Sequence, residues 1–361
     1  MKTLFDSTTI NGLPLANRFI RAATMDFAAD ERGGVTERMI AAYGEAARSQ
    51  VGLIVTGWVY VLPDGQGLPA MCGIHDDSLL DGFRKLTDKV HAEGGKVVLQ
   101  IGYGGPQSPY ESGPDVYSPS AVPDLGTGRT GKAMTEADIA RLTAGFATAA
   151  GRAKAAGFDG VEIHAAHGFL LSQFLSPYYN RRSDGYGGPA ENRARLLLEV
   201  YEAIRRQTGP DFVILAKVNC DDFVDGGMSF ADSLYTCRLL AEKGIDGLEI
   251  SGGLSAFREK CTVRRDITSP DQEAYFAKYA ARIANEVTAP VILVGGLRSP
   301  EVMKRLLQDT KIAYFSLCRP LIAEPRLLER WRSGDRSGAR CVSCNKCLTP
   351  AGIRCAMYGE A

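Results

Sequence analysis

The sequence carries no formal net charge and contains few histidines. Its 361 residues include four histidines and two tryptophans, and 42 Lys and Arg residues balance 42 Asp and Glu residues. Without a net basic field, the chain has no general attraction for nucleic acid or for an anionic membrane. We therefore expect no nucleic-acid or membrane partner, and a small molecule as the ligand.

Long apolar runs are also missing. No run reaches the roughly 18 consecutive apolar residues of a transmembrane helix, and the start, MKTLFDSTTING, lacks the basic and apolar regions of a secretory signal. Nine cysteines, several of them crowded near the end of the chain, suit metal chemistry in a reducing compartment better than a disulfide framework. These features predict a cytoplasmic protein.

Eight short apolar runs alternate with stretches of helical periodicity. A strand followed by an amphipathic helix, repeated eight times, is typical of the (β/α)8 TIM barrel, an α/β fold with parallel strands. The alternative is an open doubly wound sheet, but GxGxxG after a strand, its usual mark, is absent. The predicted strands cover residues 17–23, 51–57, 96–102, 160–165, 212–218, 245–252, 290–296 and 312–318.

The segment before the first strand is predicted to be a hairpin that caps the bottom of the barrel. Its turn falls at Asn11-Gly12, a dipeptide that favours a two-residue hairpin turn. We assign residues 1–332 to the barrel and residues 333–361 to a short cysteine-rich tail.

The carboxyl ends of the strands are the expected site, because active sites in this fold are built there. Glycines after the seventh strand and an arginine after the eighth favour a phosphate site, although glycine also serves tight turns. Gln100 and Lys217 point to a heteroaromatic ring with carbonyl and N–H groups, since buried polar groups need partners. The strand-end residues are Ala22 to Met25, Thr56 to Trp58, Gln100, His164, His167, Lys217, Ser251 to Gly253, Gly295, Gly296, Cys318 and Arg319.

One long motif carries a family resemblance. The string VEIHAAHGFLLSQFLSPYYNRRSDGYGGPAENR resembles the signature of the old yellow enzyme family of flavin mononucleotide (FMN) oxidoreductases. NRFIRAAT, LIVTG, LQIG, LAKVN and CRPLIAEP match at other strands. The resemblance implies a barrel with non-covalent FMN at its mouth, reduced by NAD(P)H, and a homo-oligomeric assembly.

The resemblance also implies roles for particular residues. His164 and His167 fall where the family binds the carbonyl oxygen of an electron-poor alkene, and donors aimed at a developing enolate stabilise it. Lys217 falls beside flavin N1 and O2, and Gln100 at the pyrimidine edge. The implied FMN contacts are Ala23, Thr24, Met25, Gly57, Gln100, Lys217, Gly253, Gly295, Gly296, Cys318 and Arg319.

The sequence departs from the family at its proton donor. Where the family usually has a tyrosine that protonates the substrate, this chain has Phe169, which carries no proton to give. Tyr103 is our candidate replacement; Tyr60, water, or an acceptor that needs no protonation at carbon are the alternatives.

The tail contains four closely spaced cysteines, Cys341, Cys344, Cys347 and Cys355. Cysteine runs of this kind hold iron–sulfur clusters or structural zinc. A similar group follows the barrel in relatives such as 2,4-dienoyl-CoA reductase, which carry a [4Fe-4S] cluster there. A cluster, a zinc site and unligated thiols remain the three interpretations.

These observations predict an FMN-dependent oxidoreductase that transfers hydride from NAD(P)H to an activated alkene or a related electrophile. One alternative is an electron-transfer flavoprotein that works with a partner protein through a tail cluster. Another is a non-redox, phosphate-binding lyase in which Lys217 forms a Schiff base.

Overall fold

The chain folds around a closed ring of parallel strands. The structure is a computed structural model that describes residues 2–108, 115–254, 262–349 and 352–358. Within these residues, β3, β4, β6, β9, β10, β11, β12 and β13 form the ring, each pairing with the next and β13 with β3. The strands are β1 (Thr8–Ile10), β2 (Leu13–Leu15), β3 (Phe19–Arg21), β4 (Leu53–Val55), β5 (Val59–Tyr60), β6 (Val97–Gly102), β7 (Tyr117–Ser118), β8 (Lys132–Ala133), β9 (Gly160–Ala165), β10 (Val213–Asn219), β11 (Gly247–Ser251), β12 (Val291–Val294), β13 (Tyr314–Leu317), β14 (Leu348–Thr349) and β15 (Gly352–Ile353).

The ring confirms the predicted (β/α)8 barrel and all eight predicted strands. Several strands are shorter than predicted, because residues at their carboxyl ends leave the ladder and line the mouth of the barrel. The second strand is interrupted: β4 ends at Val55, and β5 resumes beside the upper part of β6, with Val59 opposite Ile101. Thr56 still bonds through its backbone nitrogen to the carbonyl of Val98, and Gly57 and Trp58 then leave the sheet at the barrel mouth. The open doubly wound sheet is the wrong alternative.

The helices surround the ring and begin at recognisable caps. At the start of α3, Thr135 and Asp138 bond reciprocally to each other's backbone N–H groups, and Ser229 and Asp232 do the same at α6. The helices are α1 (Glu37–Arg48), α2 (Leu80–Ala92), α3 (Glu136–Ala155), α4 (Leu170–Leu175), α5 (Ala190–Thr208), α6 (Phe230–Glu242), α7 (Ala277–Glu286), α8 (Pro300–Asp309), α9 (Arg319–Ala323) and α10 (Leu327–Arg332). None of the described helices is long and apolar enough to cross a membrane.

The predicted hairpin closes the bottom of the barrel. β1 and β2 pair antiparallel, and Asn11 and Gly12 at the turn have φ values of 44° and 77°. Ile10 and Leu15 are buried in one apolar cluster with inward residues of the ring strands, such as Leu215. The hairpin cap is therefore confirmed, and its apolar face seals the barrel core.

An Asp-Gly dipeptide occurs twice, before two different ring strands, and each aspartate bonds to a neighbouring strand at the bottom of the barrel. Asp159, just before β9, accepts a hydrogen bond from the backbone nitrogen of Val97 at 2.8 Å. Asp246, just before β11, accepts from the backbone nitrogen of Ile214 at 2.7 Å and pairs with Arg205 at 2.6 Å. Each carboxylate satisfies a strand N–H that the ladder leaves open.

The tail packs against the barrel where it is described. The backbone of Ala339 bonds to the carbonyl of Arg298 at 2.8 Å, and Trp331 donates to the carbonyl of Ser337 at 2.9 Å. β14 and β15 then form a small antiparallel pair. The division into a barrel and a separate tail stays a prediction, and residues 350–351 and 359–361 of the tail lie outside the described residues.

We expect Asp246→Ala to lower the free energy of unfolding by about 1–3 kcal/mol. The substitution leaves the buried N–H of Ile214 without its acceptor, and an unpaired buried donor carries that cost. Urea unfolding of the variant and of Asp309→Ala, which changes an exposed aspartate at the end of α8, gives the comparison. Equal losses in the two variants would contradict this role.

Candidate functional site

A cavity of about 570 Å³ opens at the carboxyl ends of the ring strands. It gathers the residues that the sequence placed at successive strand ends, as expected for this fold. The predicted site residues that line it are Ala23, Thr24, Met25, Gln100, His164, His167, Lys217, Gly295, Gly296, Cys318 and Arg319.

Three predicted residues are not among those that line the cavity. Gly57 lies behind it, where its nitrogen donates to the hydroxyl of Tyr43 at 2.9 Å. Gly253 donates to the carbonyl of Asp221 at 2.9 Å. The ring of Tyr103 packs behind Gly65, so the proposed proton donor does not reach the cavity. Burial also raises the pKa of Tyr103, which makes it a weaker acid.

The two histidines stand together at the end of β9. Their ring centroids lie 5.2 Å apart. His167 has a φ of 67°, its backbone nitrogen donates to Asn219 at 3.1 Å, and its Nε2 lies 2.8 Å from the hydroxyl of Ser251. Burial lowers the pKa of both imidazoles well below the ordinary value, and the nearby charge of Lys217 adds to the effect. Both rings are therefore neutral near pH 7.

Aromatic side chains form one wall of the cavity. The ring of Phe169 lies 5.0 Å from those of Trp58 and His164, measured between centroids. Met25 and Leu68 pack in the same cluster. Since the wall is apolar apart from the histidines, it favours a ligand with a flat, weakly polar body.

Lys217 and Gln100 each have a buried acidic partner. The ammonium of Lys217 lies 2.9 Å from a carboxylate oxygen of Glu249, and Gln100 donates its Nε2 hydrogen to Glu162. Burial alone would lower the pKa of Lys217, but the acidic groups of Glu249 and Glu162 outweigh it and raise that pKa. Lys217 is therefore a fixed cation at the cavity, which argues against a Schiff-base lysine.

Gly295, Gly296 and Arg319 lie together where the sequence predicted a phosphate site. The two glycines have φ values of 119° and 68°, and a Cβ on either would run into the ring of Tyr275. Arg319 donates to the carbonyl of Arg264 at 2.7 Å and to the side chain of Asn345. Only glycine therefore fits here without displacing a neighbour.

A buried network supports the cavity from behind. Tyr43 donates its hydroxyl hydrogen to Asp26 and accepts from the backbone of Gly57, and the guanidinium of Arg21 lies over the Tyr43 ring. Burial raises the pKa of Asp26, and Arg21 partly offsets this rise. The network fixes the ends of the first two ring strands relative to each other.

Two groups of residues at this site were not predicted from the sequence. Glu162 and Glu249 are completely buried, and a signal for them exists: DGVEI (159–163) and DGLEI (246–250) are copies of one pattern with a glutamate in an apolar strand. The second group comes from the tail, where no strand pattern indicates a position. Its cavity-lining members are Ser343, Asn345, Cys347 and Ile353.

The predicted metal site in the tail is not supported. No group of three or more His, Cys, Asp or Glu side chains in the described residues is placed to hold a metal ion, and Cys341, Cys344, Cys347 and Cys355 are free thiols. Burial, followed by the neighbouring cysteines, raises the pKa of Cys347 to about 11.

The whole barrel matches one known family. A model of the NADH:flavin oxidoreductase / NADH oxidase family matches residues 3–337. The chain belongs to this family. The resemblance to old yellow enzymes is therefore confirmed, and the lyase interpretation is wrong.

Individual relatives and solved structures show the extent of the likeness. The chain is 35% identical over 351 residues to a metal reductase of Desulforamulus reducens, covering 96% of this chain but 52% of that protein. It is 32% identical over 326 residues to an NADPH dehydrogenase of Bacillus velezensis, covering 90% of this chain and 92% of the relative. The solved old yellow enzyme homologue from Zymomonas mobilis superposes with a TM-score of 0.82 at 25% identity, over 100% of each chain. The chain thus spans about half of the first relative and most of the other two.

The residues present fit FMN, the cofactor that the NADH:flavin oxidoreductase family implies. The cavity volume lies in the usual range for ligand pockets, roughly 300–1,000 Å³. Lys217 and Gln100 offer a cation and an amide to a ring with carbonyl and N–H groups. Gly295, Gly296 and Arg319 line the same cavity, and their backbone N–H groups and guanidinium are of the kind that binds a phosphate.

We expect acid to destabilise the protein partly through His164 and His167. An imidazole whose pKa is lower in the folded state binds protons more readily when unfolded. Its contribution is therefore complete above the unfolded pKa near 6.5 and is lost as the pH falls, by at most about 1.4 kcal/mol per pH unit for each group.

Urea unfolding at about pH 7.5 and about pH 5.5 measures this loss. The double variant His164→Asn/His167→Asn is the comparison, because His75 and His91 remain in both proteins and their contributions cancel. The variant should lose less free energy of unfolding than the wild type, and an equal loss would refute the assignment.

Proposed function

We propose that the protein is an FMN-dependent oxidoreductase that takes hydride from NAD(P)H and passes it to an activated alkene or a related electrophile. The observation that carries the proposal is the pair of neutral, neighbouring histidines on a cavity that also holds Lys217 and Gln100. FMN supplies the chemistry by accepting hydride from one substrate and delivering it to the next. The protein's residues bind the cofactor and orient the second substrate.

Lys217 and Gln100 are the proposed partners of the FMN ring. A lysine whose pKa is raised stays charged through the neutral range, so it stabilises negative charge that develops on the ring. Arg319, Gly295 and Gly296 are the proposed phosphate partners. Ala23, Thr24, Met25 and Cys318 line the same cavity and complete the proposed contacts.

His164 and His167 are the proposed donors to the substrate carbonyl. A neutral imidazole has one N–H to donate, and a donor held in place stabilises the oxyanion that forms as hydride arrives at the β-carbon. The contacts of His167 with Asn219 and Ser251 hold its ring in place. His164 lines the cavity beside His167, with 5.2 Å between the two ring centroids.

Alkene reduction adds one proton at the α-carbon besides the hydride, and this proton needs its own source. Phe169 lines the cavity without an exchangeable proton, whereas Tyr103 and Tyr60 are not among the lining residues. We infer that water entering the cavity delivers this proton, or that the physiological acceptor is an electrophile that needs none at carbon. The homo-oligomer that the family resemblance implies stays a prediction.

The purified protein should bind FMN, bleach its visible bands with NADH or NADPH without oxygen, and recover them when 2-cyclohexenone is added. His164→Ala/His167→Ala should keep the FMN but slow recovery with the enone by about 100-fold or more, as expected when oxyanion donors are lost. His91→Gln, which alters a histidine outside the cavity, is the matched control. A protein that binds no FMN, or a double variant as fast as the control, would overturn the proposal.

Phe169→Tyr should speed enone turnover, because it adds an acidic O–H to the wall beside His164. The expected gain appears when the enone is the acceptor and is absent with a quinone, whose reduction needs no protonation at carbon. Stopped-flow reoxidation with the two acceptors separates these cases. An equal change with both acceptors would show that the hydroxyl alters packing and does not donate the proton.

A further inference from the structure

Four buried polar side chains form a continuous array across neighbouring ring strands. Gln100 on β6 is opposite Glu162 on β9, and Lys217 on β10 is opposite Glu249 on β11. Their exposed fractions are 2%, 0%, 4% and 0%. Only Gln100 and Lys217 line the cavity, so the two glutamates lie behind the residues that meet the ligand.

Each glutamate interacts with one of the two residues that line the cavity. Glu162 accepts a hydrogen bond from the Nε2 of Gln100, which leaves the amide oxygen of Gln100 as its acceptor for a ligand. Glu249 lies 2.9 Å from the ammonium of Lys217. The acidic residues thus determine how an amide and a cation are presented at the cavity.

The two carboxyl groups also meet each other. They lie within hydrogen-bonding reach, yet Oε1 of Glu162 and both carboxylate oxygens of Glu249 accept no hydrogen bond from the described residues, although Oε1 of Glu249 lies in ion-pair contact with Lys217. Two buried carboxylates in contact repel each other, and a single proton between them removes the repulsion and gives each carboxyl group a hydrogen bond. The contacts therefore require one proton on the pair.

The surroundings decide which glutamate carries that proton. Glu249 lies in direct contact with the full positive charge of Lys217, whereas Glu162 is hydrogen-bonded to the neutral amide of Gln100. Burial, reinforced by Glu249, raises the pKa of Glu162 well above its ordinary value. The other titratable groups that face the array are His164, His167 and Cys318, and the two histidines are neutral.

We infer that Glu162 is a neutral acid hydrogen-bonded to an ionised Glu249, and that this pair is the positioning device of the FMN site, orienting Gln100 and partly neutralising Lys217. The inference deepens the proposed function and rests on it where FMN is concerned. Glu162 and Glu249 are positioning residues, because they act on the cofactor through Gln100 and Lys217.

The pair predicts different effects for two similar substitutions. Glu162→Gln replaces a neutral acid with a neutral amide that can accept from Gln100 and donate to Glu249, so the FMN reduction equilibrium should change by less than about tenfold. Glu249→Gln removes the charge that neutralises Lys217 and should favour the reduced cofactor by about tenfold or more, or about 30 mV for a two-electron couple. Glu162→Gln/Glu249→Gln should shift at least as far as Glu249→Gln, since no carboxylate remains to compensate.

Midpoint potentials of the FMN-loaded proteins at fixed pH test this order, with Glu301→Gln on the surface as a control. Glu162→Leu, of similar size, should weaken FMN binding relative to Glu162→Gln because Gln100 loses its acceptor. An equal or larger shift in Glu162→Gln than in Glu249→Gln would overturn the inference, as would an unchanged potential in the double variant.

Infrared spectra of the FMN-free protein test the proton separately. The wild type should show a carboxylic acid carbonyl band that Glu162→Gln lacks and Glu301→Gln keeps. No such difference would overturn the neutral acid while leaving the proposed function intact. Failure of the wild type to bind FMN would overturn the proposed function and the positioning role together.

Discussion

The site depends on a lysine charge buried inside the barrel. An ammonium that is 4% exposed is tolerated only when an opposite charge pairs with it, and Glu249 on the adjacent strand provides that charge. Parallel pairing puts Lys217 and Glu249 opposite each other, and the closed ring gives neither strand an edge to slip along. The closed ring therefore fixes the register that the ion pair needs, and the ion pair in turn stabilises that register.

The same ring explains why the histidines are where they are. His164 is the last residue but one of β9 and lies opposite Lys217, and His167 follows in a left-handed conformation that Asn219 stabilises through the backbone. This strained residue brings its ring against Ser251, the last residue of β11. A residue with a positive φ that carries a functional side chain is common at active sites, where the surrounding contacts offset its strain.

Several features of the site were predictable because they follow strand periodicity. Residues at strand ends such as Gln100, Lys217 and Arg319 converge in any closed parallel barrel, so their positions along the chain were sufficient to place them together. The position of Tyr103 did not follow from strand periodicity. It follows β6 directly, yet it packs behind Gly65, because the loop after a strand has no fixed period and its side-chain directions depend on packing.

The sequence by itself determined the barrel, the hairpin cap, the strand-end residues and the family, because these depend on local periodicity and on one long motif. The tertiary structure decided that Glu162 and Glu249 meet and that Ser343 and Asn345 reach the cavity. It also showed that the tail cysteines are not gathered for a metal within the described residues. These contacts join residues far apart in the chain, and only the folded packing fixes such distances and the protonation that follows from them.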